Sequence, residues 1–129
     1  MFQFKHWLCD YPLQTPYMLQ KFNRKGWVHP LYCHASVHAA GTLLISFVFL
    51  LGTADGMLNV VDTLRVLTWV SILDLTTHFI IDRVKAHPDL GGRYTSDNPK
   101  FWWCLGADQM LHHLTHYGII AILMFHVYG

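Results

Sequence analysis

A chain of 129 residues is one domain by length, and a composition 53% hydrophobic but only 13% charged excludes an ordinary soluble surface, which carries roughly 25% charged residues. A net charge of +1, with no basic strip interleaved with aromatics, argues against a nucleic-acid partner. All eight acids are Asp and ten His accompany them, so the short side chains that suit fixed metal or proton sites are over-represented.

The N-terminus lacks a signal-peptide pattern, because Lys5, His6 and Asp10 interrupt its apolar residues. Those charges, with Pro12 and Pro16, rule against a full span and predict a short helix, about residues 2–12, at the membrane surface or tucked against the rest. From Pro30 to Ala54 the chain has no Asp, Glu, Lys or Arg, a run longer than the approximately 20 residues that cross a hydrocarbon core. Pro30 suits a first helical turn, and a helix is expected over 30–53.

Asp55 and Gly56 predict a turn, followed by a helix over about 57–86 that Pro88 and the Gly91, Gly92 pair stop. Asp62 and Arg65 are placed to pair at its far end. Near its other end Asp74, His78 and Asp82 recur every fourth residue, so on a helix all three point to one side within an arc of about 80°. Asn98 and Pro99 then look like the cap and first position of a helix over 99–128, with Trp102 and Trp103 at a membrane interface and Asp108, Gln109, His112, His113 and His116 behind them. The expected fold is a small all-α integral membrane bundle, residues 1–129 as one domain, with three main transmembrane helices plus a short N-terminal one.

Among the Asp and His residues, the pairs 6/10, 34/38, 74/78, 78/82, 108/112 and 112/116 fall at a spacing of four, where random placement gives about 2.5 such pairs. They sit early in the first span, late in the second and early in the third, so an up-down-up path brings them to one end. His6, Asp10, His34, His38, Asp74, His78, Asp82, Asp108, His112 and His116 are therefore the candidate metal ligands. Lys5, Lys21, Arg24, Lys25, Arg83, Lys85, Arg93 and Lys100 all flank that end and Arg65 alone the other, which by the positive-inside rule makes the site end cytoplasmic and the C-terminus external.

Four ordered motifs, HxxxD with QT over His6–Thr15, HxxxH over His34–His38, HFIIDxxK over His78–Lys85 and DQxxHxxxH over Asp108–His116, carry a resemblance through nearly the whole chain. The chain resembles the bacterial and phage membrane-protein family catalogued as domain of unknown function 3307, and departs from it in having only five residues before His6. The resemblance implies membrane helices, shared polar motifs and a bacterial inner (host-cell) membrane, and supplies no reaction. The mix of His and Asp on small membrane helices is also similar in pattern to proteins labelled membrane-bound metal-dependent hydrolases.

Mixed imidazole and carboxylate donors suit one or two divalent ions, Zn²⁺, Mn²⁺ or Fe²⁺. Two ions about 3.5–4 Å apart activate a water and clamp a phosphoryl oxygen, so hydrolysis of a phosphoester or lipid-like substrate is one expectation. A di-iron oxygen-activating centre ranks lower, because such bundles use Glu and this chain has none. The alternative is a non-enzymatic module in which the same residues pack the helices or relay ions or protons. Gln14, Arg83, Lys85 and Gln109 are candidate substrate contacts, though positive-inside flanking alone accounts for the two bases. Cys9, Cys33 and Cys104, odd in number and without a CxxC pair, read as reduced packing residues. The lipid bilayer is the expected partner, and no oligomer is assigned.

Overall fold

A computed structural model describes residues 1–53 and 59–129. The turn expected at Asp55 and Gly56 and the first two residues of the helix expected over 57–86 lie outside the described residues. Four helices run in order, α1 (Phe2–Asp10), α2 (Val28–Thr53), α3 (Val60–Ala86) and α4 (Pro99–Tyr128), with 3₁₀ turns at Met18–Phe22 and Gly91–Arg93. The described residues contain no strand.

Local chemistry sets the helix ends. Asn59 is extended and its side chain accepts from Val61 N and Asp62 N, so α3 begins at Val60, later than the apolar pattern alone suggests. Asn98 caps α4 through Lys100 N, and Pro99 fills the first turn as expected. Behind α3 the chain folds back so closely that a Cβ on Gly91 would lie 2.5 Å from Lys85 O, and one on Gly92 2.6 Å from Ala86 O. Only glycine fits there. At the opposite end of α3, Arg65 Nη1 bonds Asp62 Oδ1 at 2.8 Å, the pair expected at the far surface.

Helix α3 packs between α2 and α4, and α1 closes the open side against α2. The inward stripes are Leu31, His34, His38, Thr42, Ser46 and Leu50 on α2, Leu67, Val70, Asp74, His78 and Asp82 on α3, and Asp108, His112, His116, Ile119 and Leu123 on α4. The α3 and α4 stripes are polar over one half and apolar over the other, and the α2 stripe is polar from His34 to Ser46 before Leu50. The apolar halves meet as a cluster of Leu50, Leu67, Val70, Ile119 and Leu123, with Phe2 of α1 inserted among them. Thus α1 is tucked into the bundle, with Phe2 in this apolar cluster, which plugs one end, and Asp10 toward the polar end.

The outer surface is the inverse of a soluble protein's, with Leu44, Phe47, Leu51, Leu64, Trp69, Ile72, Leu114 and Phe125 all exposed. Three helices are long and apolar enough to cross a membrane, and backbone bonds satisfied within each helix are what a bilayer demands. The chain reads as a membrane protein. It should therefore stay in the bilayer fraction after high-salt and carbonate washing, and recovery as a soluble monomer without detergent would contradict this.

Candidate metal centre

The stripes of α2, α3 and α4, joined by His6 and Asp10 of α1, place all ten candidate residues in one cluster. His34, His38 and His78 are fully buried, and only Asp10 retains appreciable side-chain exposure, 17%, which puts it at the mouth. Three overlapping sets bring donor atoms within 4.8 Å of one another: Asp10, His34, His38 and His78; His6, His78 and His112; and Asp82, Asp108 and His112. His78 belongs to two sets. Its ring stacks on His38 at 3.6 Å and on His112 at 4.1 Å between centroids.

Around Asp10, His38 Nε2 and His34 Nε2 lie 3.1 and 3.4 Å from Oδ1, and His6 Nε2 lies 3.2 Å from Oδ2. Burial works to raise the Asp10 carboxyl, but the contacts from His34, His38 and His6 outweigh it and hold the group well below the usual carboxylate range. Asp10 is a carboxylate. Burial pushes the Cys9 thiol up, and its Sγ lies 3.8 Å from Val37 O.

Many of these contacts are close without being aligned. Both ring nitrogens of His6, His34, His78 and His116, together with His38 Nδ1 and Asp108 Oδ1, are buried with no hydrogen-bond partner among the described residues. His34 Nε2 is 3.2 Å from Asp82 Oδ2, yet it aims past the oxygen and not along a donor line. Leaving such groups unpaired costs roughly 1–3 kcal/mol each. A divalent ion fits this donor set because it uses converging lone pairs, whereas a packing network would pair them off.

Asp74 and His116 fall outside the three sets and form a deeper subsite, His116 Nε2 standing 3.8 Å from Asp74 Oδ1. Asp74 Oδ2 accepts from Lys5 Nζ at 3.1 Å and from Thr42 Oγ1 at 2.8 Å. Lys21 Nζ reaches Asp82 Oδ2 at 2.6 Å and Lys85 Nζ reaches Asp108 Oδ2 at 2.7 Å. Lys5 and Lys21 are buried, so two of the residues read from sequence as flanking charges are instead counterions inside the site. Carboxylates in an apolar bundle require such partners, and that requirement was the available signal.

Lys5 reaches Asp74 across α2 because Gly41 leaves a gap, and a Cβ on Gly41 would lie 2.8 Å from both Lys5 Cγ and Cδ. Gly41→Ala should cost about 1–3 kcal/mol in detergent melts by displacing a stem pinned at its far end. The same change in a Lys5→Ala background should cost much less, and an equal cost in both backgrounds would refute the explanation.

Of the candidate substrate contacts, Gln109 Nε2 donates to Asp108 Oδ2 at 3.1 Å, and Lys85 is the counterion just described. The Arg83 guanidinium lies 3.7 Å over the Trp27 ring and donates to Lys21 O, holding the 3₁₀ turn that carries Lys21. Gln14 is half-buried in the turn after α1. His113, which the helical turn places on another surface, is half-buried with its ring 6.4 Å from that of His6.

No curated protein and no solved structure matches this chain. One family does, over residues 1–128, and its members are described as protein of unknown function (DUF3307). With the match spanning all four helices and every motif that builds the centre, the chain belongs to the DUF3307 family.

Proposed function

We propose that the chain is an integral membrane, metal-dependent hydrolase of a phosphoester or lipid-like substrate, with its centre at the cytoplasmic end of the bundle. The observation that carries this reading is the four-donor set of Asp10, His34, His38 and His78 within 4.8 Å. A Zn²⁺, Mn²⁺ or Fe²⁺ ion on such a set supplies Lewis acidity toward a water or phosphoryl oxygen. Charge supports that placement, because among the described residues Asp74, Asp82 and Asp108 each have a lysine and Asp10 has none. With imidazoles counted as neutral, the four carboxylates and three lysines leave a formal charge of −1, which suits one divalent ion better than two.

His112 Nε2 stands 3.3 Å from Asp82 Oδ1 and 3.4 Å from Asp108 Oδ1. Two carboxylates facing one imidazole nitrogen favour an N–H there, so His112 is placed to give that proton to a leaving group. Lys85 and Gln109 both bond Asp108 Oδ2 and fix that carboxylate in place. The apolar plug shields the centre on its deep side. The same plug weighs against an ion or proton relay, since the polar stripe of α2 ends at Ser46 and Leu50 follows. The unpaired imidazole nitrogens weigh against packing alone.

Metal analysis of detergent-purified protein is expected to find about one divalent ion per chain. Turnover of a chromogenic phosphodiester should be lost on chelation and restored by Zn²⁺ or Mn²⁺. Absence of metal, or turnover indifferent to chelation, would end this reading. For orientation, a tag after Gly129 should report the external compartment. A cytoplasmic signal would mean that the number of crossings differs from three.

A further inference from the structure

Between α3 and α4 runs an open groove of about 530 Å³, walled mainly by Ile80, Ile81, Val84, Cys104, Ala107 and Leu111. Its polar groups gather at one end, where Lys85, Arg93 and Tyr94 stand, and Asp108 of the metal centre forms part of the same wall. Asp89 is there too, but both its oxygens are occupied by Arg24, at 2.7 and 3.2 Å. Arg93 and Lys100 flank the Tyr94 ring at 5.4 and 5.7 Å, both exposed and neither paired with a carboxylate among the described residues. Exposed Trp102 and Trp103 mark this level as the headgroup region. From there the groove descends, and Leu111 lies twelve residues, about 18 Å, down α4 from Pro99.

We propose that this groove holds one acyl chain of an anionic glycerophospholipid of the surrounding bilayer, with its phosphate at Arg93 and Lys100. Any apolar groove at this depth is filled by lipid tails. Arg93 at its upper end and Lys100 across the Tyr94 ring, neither bonded to a carboxylate among the described residues, are what select a negatively charged headgroup. As a statement about substrate, the proposal rests on the metal-centre reading, because Asp108, a candidate ligand, and its counterion Lys85 both line the groove. As a statement about binding it does not.

The test is native mass spectrometry of the purified full chain after exchange with vesicles of equal phosphatidylglycerol and phosphatidylcholine of matched acyl composition, with metal content measured on the same samples. One phosphatidylglycerol per chain is expected, with a preference that falls about fivefold for each of Arg93→Ala and Lys100→Ala. Both residues are exposed, so the fold is not at stake. Ala107→Phe, filling the groove, should reduce retention of both lipids.

Equal retention of the two lipids, or a preference unchanged in the double Arg93→Ala, Lys100→Ala variant, would overturn the proposal. If the phosphatidylglycerol dependence holds in protein lacking metal, the groove stands and the hydrolase reading fails. If metal is present and no preference is seen, the groove reading fails alone.

Discussion

Replacing His78 by Ala should weaken metal binding at least a hundredfold and lower the thermal stability of the detergent-solubilised protein. His78 is common to the sets built on Asp10 and on His6, and its ring is stacked between His38 and His112. Its loss therefore opens both sets at once. Loss of outer-shell partners alone typically lowers metal affinity 10–100-fold, and a donor shared by two sets should exceed that. Wild-type protein at a free ion concentration of about 100 times Kd should gain roughly 2.7 kcal/mol from binding, and the variant little of it. His126→Ala, at the far end of α4, is the matched control and should change neither quantity. If wild-type protein carries no stoichiometric metal and the two variants melt alike with and without Zn²⁺ or Mn²⁺, the metal reading is wrong. Destabilisation by His78→Ala without metal dependence would support a packing network instead.

The helices and the convergence of His and Asp were legible because both follow from periodicity. The charge-free run of α2 exceeds a bilayer's thickness, and a spacing of four keeps Asp74, His78 and Asp82 on one helical face. What periodicity does not carry is the reach of long side chains between helices. Lys5 and Lys21 look like flanking charges because they precede the first span, and only the packing of α1 and the 3₁₀ turn brings them to Asp74 and Asp82. Thr42 and Ser46 continue the α2 stripe at the same interval, but a hydroxyl in a membrane helix can bond its own backbone and so gives no tertiary signal. The gap at Gly41 is likewise invisible until α1 is docked. The α1 helix ends at Asp10, short of the expected 2–12: Tyr11 N still bonds Trp7 O, but Pro12 has no N–H for Leu8 O, which accepts instead from Leu13 N in the turn over 11–13.

Lys5→Met should destabilise the bundle by about 3–5 kcal/mol, the usual result of leaving a buried charge without its partner. Methionine keeps most of the stem that threads past Gly41, so the loss falls on Nζ and its three acceptors, Asp74 Oδ2, Thr42 Oγ1 and His38 O. In the variant the Asp74 carboxylate retains the Thr42 hydroxyl and little else. Adding Asp74→Asn to Lys5→Met should recover most of the loss, because the charge that needed Lys5 is then gone. Metal content should stay near wild type in both proteins, since neither Lys5 nor Asp74 belongs to the three donor sets. A flanking residue that only sets topology would behave differently. Its replacement would cost less than about 1 kcal/mol, as exposed ion pairs do, and Asp74→Asn would then add damage instead of removing it. Thermal melts of the two single variants and the double variant therefore separate a structural counterion from an orientation signal.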